Sequence, residues 1–219
     1  MRKLQILIAI VLLAAFAACN QTTAEDEGGG NGSDSKMKRY GVKQACIEYT
    51  VSGDMQSGTE VLYFDQWGAR EAKYEMKTTK VGPMKTEENK VTFMEGAMAY
   101  TVNLKDNTGS KMENPMLKSF EGQDLTEVGE KMMKQMGGKK IGSEKLLGKQ
   151  TDIWEIKQMG TKSWVWKGVP LKTELNMMGM KISIVATKIS EKFDKSKLER
   201  PKNIDYKDMS EMMKSFKTN

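Results

Sequence analysis

The chain contains no histidine, and only two cysteines and four prolines. Without histidine, the commonest general base and the commonest metal ligand are both missing. No thiol–imidazole pair can be assembled. No G-x-S-x-G elbow, P-loop or G-x-G-x-x-G turn is present, and no pair of carboxylates stands apart as an acid–base couple. These absences predict a protein that is not an enzyme and holds no resident metal or cofactor.

The two cysteines lie far apart in role. Arg2 and Lys3 precede the apolar run "LQILIAIVLLAAFAA", which ends in small residues directly before Cys19. The run is too short and wrongly flanked for a spanning helix and reads as a secretory signal. "FAAC" resembles the lipobox of bacterial lipoproteins, with Phe16 where Leu is more usual. That resemblance implies that Cys19 is lipidated, a palmitate chain among its acyl groups, and becomes the first mature residue. Several acyl chains would hold the protein on a bilayer, because each buried methylene contributes about 0.8 kcal/mol. Plain secretion with cleavage near Ala18 is the alternative. With Cys19 blocked, Cys46 is left without an intramolecular disulfide partner and reads as a small buried hydrophobe.

Residues 20–37 include "NQTTAEDEGGGNGSDS", polar, glycine-rich and free of aromatics, which predicts a flexible tether. The acidic "EDE" resembles a surface-export signal of some Gram-negative lipoproteins, and an acidic linker without that role is the competing reading. The expected location is the Gram-negative cell envelope, as an outer-membrane lipoprotein facing the periplasm or the surface.

Residues 38–200 are long enough for one domain with its own core. The formal charge of +6 falls to +4 once Arg2 and Lys3 are removed. Lysines and acids are interspersed, and no basic block carries interleaved aromatics, which argues against a nucleic-acid partner; a monomer is expected.

Period-two patterning dominates this stretch. In "REAKYEMKT", Ala72, Tyr74 and Met76 alternate with Glu71, Lys73, Glu75 and Lys77, a half-buried strand with one apolar and one charged face. "VTFMEGAMAYTVNL" reads as a hairpin about Glu95-Gly96, with Tyr100, Val102 and Leu104 on one face. "IEYTVSG" and "TEVLYFDQWG" read as an earlier strand pair. "TDIWEIK", "KSWVWKG", "LKTELNMM" and "KISIVATKI" form a later meander. Two helices are expected. One runs from Asp124, with Glu127 at capping-box spacing and Leu125, Val128, Met132 and Met136 as its stripe, to Gly137-Gly138. The other lies in residues 201–219, starting at Asp208 with Met209, Met212, Met213 and Phe216. The fold class is therefore mainly β: a large, curved antiparallel sheet with one internal and one C-terminal amphipathic helix.

Nineteen methionines and a cluster of three tryptophans are the chain's surplus. Thioethers fill irregular cores, line adaptable apolar surfaces, or bind Cu(I). Met177 and Met178, beside Gly179 in a hairpin turn, are expected to contact membrane or partner. Trp164 and Trp166 share one strand face, and a hairpin through "KQMGT" brings Trp154 toward them, either as core or as an aromatic wall for a ligand.

"GSEKLLGKQTDIWEIK", "KSWVWKGVPLKTEL" and "KISIVATKI" resemble the second half of the LolA/LolB-like lipoprotein-carrier superfamily. The matching residues are Gly142, Gly148, Asp152, Trp154, Glu155, Trp164, Trp166, Gly168, Pro170, Leu171 and Lys172. The resemblance spans roughly residues 40–190. It adds to the mainly β fold class the form of an unclosed half-barrel wrapped on helices, with an apolar cavity for acyl chains, and hence implies an anchored protein that binds a lipid, acyl chain or lipoprotein without catalysis. Trp154, Trp164, Trp166, Met132, Met136 and Tyr100 would form that site. A structural or interaction lipoprotein with a self-filled core is the second reading, and a methionine-rich Cu(I) binder the third.

Overall fold

The computed structural model describes residues 37–120, 122–177 and 179–209. The signal segment, Cys19 and most of the tether lie outside the described residues, as does the helix expected after Asp208.

Twelve described strands form one sheet in the order β12-β6-β5-β4-β3-β2-β1-β11-β10-β9-β8-β7. They are β1 (Ala45–Gly53), β2 (Gln56–Asp65), β3 (Arg70–Val81), β4 (Met84–Glu95), β5 (Met98–Asn103), β6 (Thr108–Glu113), β7 (Lys139–Leu146), β8 (Lys149–Ile156), β9 (Thr161–Trp166), β10 (Val169–Met177), β11 (Met180–Ser190) and β12 (Tyr206–Asp208). Two antiparallel meanders, β1–β6 and β7–β11, are joined by the antiparallel β1–β11 pair. The sheet is mainly antiparallel, as the patterning predicts, and unclosed, as the family resemblance implies. One pairing departs: β12 lies parallel to β6. Within 201–219, therefore, Tyr206–Asp208 form an edge strand rather than helix. This stretch has no alternation of its own and gains its partner only through tertiary docking.

Between β6 and β7, which lie far apart across the sheet, the chain forms α1 (Pro115–Lys118) and α2 (Leu125–Gln135). Asp124 caps α2, its carboxylate accepting from the Thr126 backbone N–H at 2.9 Å. The side chain of Glu127 lies outside the description. Gly137 follows at φ 78, the left-handed conformation that suits a glycine stop. Near its start, Leu125 packs with Met37, Ala97 and Leu117, and near its end Met133 packs on Trp154, Ile156 and Val165. The helix thus crosses one face of the sheet, here termed the inner face.

Outside the bulges at Thr187, Leu171 and Ile141, cross-strand register sorts the paired residues onto one face or the other, since directly paired residues project together. Along the inner face one row runs Trp154, Ser163, Thr173, Ile184, Val51, Gly58, Lys77. Another runs Ile189, Ile47, Leu62, Lys73, Thr92, Thr101, Ser110. The inner face is thus chiefly apolar from β8 to β2 and turns polar from β3 onward. The outer face does the reverse: the row Cys46, Tyr63, Ala72, Phe93, Tyr100 is largely apolar, whereas Glu155, Lys162, Glu174, Ser183, Ser52 is polar.

The apolar half of the outer face is covered by the segment after β11. Phe193, Leu198, Ile204 and Tyr206 pack onto Tyr63, Ala72, Tyr74, Phe93, Tyr100 and Val102. This strap explains a departure from the pattern of "REAKYEMKT". Ala72 and Tyr74 lie beneath it, but Met76, beyond its reach, is 61% exposed. On the charged side, which simple alternation gives to solvent, Glu75 and Lys77 are buried instead.

Candidate functional site

The inner face contains an aromatic station under the end of α2 and an ionic station near its middle. At the first, Trp154 is 1% exposed beneath Met133, with Ile156, Val165 and Met159 around it. Its indole N–H is buried and meets no acceptor among the described residues. An unmade hydrogen bond of this kind costs about 1–3 kcal/mol.

The three clustered tryptophans do not share one wall. Trp154 is level with Ser163, and Trp164 is level with Ile153, so alternation turns Trp164 to the outer face. There its Nε1 donates to Glu144 Oε2 at 2.7 Å, and the Lys172 and Lys162 ammonium groups stand 4.1 and 5.7 Å from its ring centroid. Trp166 joins the cluster of Tyr40, Ile47, Phe64, Val169 and Leu171, with Lys149 4.7 Å from its ring centroid. Tyr100 lies under the strap, its ring 5.4 Å from that of Tyr206, with the Arg200 guanidinium at 3.9 Å. Of the residues named from the sequence, Trp154 alone sits against α2. Met132 is half-buried and Met136 is 37% exposed, and the buried methionine of the helix is Met133. Counting one face by i, i+4 steps from Val128 passes over Met133, which is i+4 from Gly129. Met177 pairs with Met180 at the β10–β11 turn and is half-buried, and Met178 lies outside the described residues.

Sequence patterning does not single out the ionic station, because alternating Lys and Glu on a strand reads as a solvated face. Lys77 Nζ lies 2.5 Å from Glu60 Oε1 and 2.6 Å from Glu75 Oε1. Lys73 Nζ stands 3.7 and 3.5 Å from the same two carboxylates. Burial pushes the Glu75 carboxyl up, but Lys73, Lys77 and Lys90 outweigh it and hold the group below the usual glutamate range. Burial pushes the Lys77 ammonium down, and Glu60 with Glu75 more than reverse that, so it stays charged above the usual lysine range. A second knot ties the N-terminal segment to the β2–β3 turn. Arg39 Nε donates to the Gly68 carbonyl at 2.5 Å, and the Tyr40 hydroxyl donates to Glu71 at 2.6 Å. Trp67, the fourth tryptophan, stands at this end with Lys38 and Lys43 near its ring.

A shallow surface depression of about 490 Å³, lined by Leu147, Lys149, Lys188, Ile189 and Glu191, opens near the ends of β7 and β11. Among the described residues no group of three or more Asp, Glu, Cys or His is placed to hold a metal, and no helix is long and apolar enough to cross a membrane.

The architecture defines a single large, unclosed antiparallel sheet traversed on one face by a helix. No family model and no curated protein matches the chain. Solved structures show a loose likeness. An uncharacterized conserved protein from Thermus thermophilus superposes with TM-score 0.47 at 11% identity, over 74% of this chain and 90% of that one. PNGF-II gives TM-score 0.45 at 15% identity, over 79% of this chain but 32% of its own length. LprF from Mycobacterium bovis gives 0.35 at 9% identity, over 72% and 90%.

Proposed function

We propose that this protein is a membrane-anchored envelope lipoprotein that holds a hydrophobic ligand between α2 and the inner face, without catalysis. The supporting observation is Trp154: a fully buried indole N–H with no acceptor among the described residues, capped by the flexible thioethers of Met133 and Met159. An ester or amide carbonyl on an acyl ligand would satisfy that donor. Ile184 and Val51, paired on the same face, would cover part of the hydrocarbon. Entry requires α2 to lift from Trp154. Loss of Met133 from its cluster is the main cost of that motion.

The reading is tested on the full chain in vesicles with a photoactivatable fatty acid, mapping the labelled peptides by mass spectrometry. Labels are expected on the α2 peptide containing Met133 and on the β8 peptide containing Trp154. Labels confined to exposed residues would sink it. The anchor is tested separately: metabolic palmitate labelling should vanish in Cys19→Ala. A second reading, an interaction lipoprotein with a self-filled core, is favoured by the burial of Trp154, Trp164 and Trp166 at 1%, 6% and 8% exposure. It predicts no internal labels at all.

A further inference from the structure

We propose that Lys73 receives an anionic group, a carboxylate or a phosphate, carried by the ligand of the inner face. This rests on the hydrophobic-ligand reading above and names the polar end of that ligand.

The argument starts from where Lys73 stands. In its cross-strand row, Ile189, Ile47 and Leu62 lie on one side, and Thr92, Thr101 and Ser110 on the other. Within that row Lys73 is therefore the first polar residue met when passing from the apolar half of the inner face into the polar half, with Glu60 next to Leu62 on β2 in the adjoining row. A molecule with an apolar body and a charged end fits such a boundary with its end at Lys73, and its body reaches Leu62 and Ile47, 6% and 0% exposed, when the packing over them opens.

Of the two lysines in the ionic station, Lys73 is the more exposed and the more loosely held. Lys77 hydrogen-bonds Glu75, stands equally close to Glu60, and is only 7% exposed. Among the described residues the Lys73 ammonium stands no closer than 3.5 Å to a carboxylate and makes only these long ion-pair contacts. Its side chain retains 17% of its surface, against 6% for Glu60 and 2% for Glu75, so it is the member that faces open space. An ammonium carries three donors, and one set in a partly desolvated recess gains more from an anionic acceptor than one in water. The Thr92 hydroxyl, beside it in register and 3.1 Å from that of Thr101, supplies a neutral donor on the polar side. Lys73 and Lys77 together offset the charge of the two glutamates, which limits the repulsion an incoming anion meets.

The test uses the full chain in a non-ionic detergent, with native mass spectrometry after addition of palmitate, methyl palmitate, phosphatidic acid or diacylglycerol. The acidic member of each pair should bind at least about tenfold more tightly than its neutral counterpart, the value of one charge-assisted hydrogen bond. Lys73→Gln should abolish that preference and Lys73→Arg should keep it, both variants retaining the circular dichroism of the parent. A preference in the palmitate pair assigns a carboxylate, and one in the phosphatidic acid pair a headgroup phosphate; either supports the assignment. Equal binding of acid and neutral partners overturns it, as does a preference that survives Lys73→Gln. If none of the four binds, the hydrophobic-ligand reading falls, and this inference falls with it.

Discussion

Trp154 and Trp164 occupy neighbouring strands one register step apart, yet they face opposite sides of the sheet and meet opposite fates. The Trp154 N–H is buried without an acceptor among the described residues, and the Trp164 N–H is spent on Glu144 at 2.7 Å. Replacing each by Phe removes a comparable amount of ring. The polar terms then separate them: Trp154→Phe removes an unsatisfied donor, while Trp164→Phe breaks a hydrogen bond to a carboxylate. Trp164→Phe should be the more destabilising by about 1–3 kcal/mol, read from urea midpoints at equal m-value. An equal loss in both would mean that the Trp154 donor is satisfied in solution.

A second contrast lies between a methionine inside α2 and the one that caps its end. Met133 is 1% exposed on Trp154, and Met136 is 37% exposed. Met133→Ala should cost about 2–5 kcal/mol as a core truncation, and Met136→Ala should stay within about 0.5 kcal/mol. Chemical denaturation of both variants checks the pair. A large loss at Met136 would mean that the helix rotates its stripe toward the sheet.

Legibility from sequence follows the local physics. Strands β8 to β11 and the start of α2 are readable because period-two alternation, turn glycines and the Asp124 cap are signals internal to each segment. What patterning leaves out is relational. A strand with one apolar and one charged side, such as β3, states that its faces differ but not which face is covered. The strap puts its cover on Ala72 and Tyr74, while on the charged side Glu60 and Glu75 close around Lys77. Trp154, Trp164 and Trp166 are legible as strand residues, but their faces follow from the Trp154–Ser163 register. β12 has no alternation and borrows its partner from β6. Helical counting misplaces the buried thioether of α2 by one residue, Met132 in place of Met133, because "KMMKQM" offers sulfur on adjacent faces.

The strap depends on a close approach that can be tested at one position. Gly109 of β6 sits beneath Ile204 and Tyr206, and a Cβ there would lie 2.5 Å from Ile204 Cγ2 and 2.9 Å from the Tyr206 ring. Gly109→Ala should therefore loosen the last part of the strap and β12 while leaving β7–β11 intact. Hydrogen exchange is expected to rise at Tyr206–Asp208, and overall stability to fall by about 1–3 kcal/mol from overpacking. Unchanged protection of Tyr206–Asp208 would show that the strap shifts to admit the methyl group.

The ionic station makes the most demanding prediction, because its two signs work at opposite ends of the pH scale. The folded-state pKa of Glu75 lies below its ordinary value, so its contribution is complete above about pH 4.3 and is lost as pH falls through the folded value. That of Lys77 lies above its ordinary value, so its contribution is complete below about pH 10.4 and is lost as pH rises through the folded value. Stability should therefore be level through neutrality and fall at both ends. Lys77→Met leaves Glu60 and Glu75 buried with only the longer Lys73 contacts, and should cost about 3–5 kcal/mol at pH 7. In that variant the acid-side fall should begin at higher pH, since burial of Glu75 is then opposed by one lysine fewer, and the alkaline-side fall should shrink. Urea midpoints measured across pH for parent and variant decide it. A variant whose profile runs parallel to the parent at every pH would mean that the two carboxylates are solvated, and that the station contributes nothing to the fold.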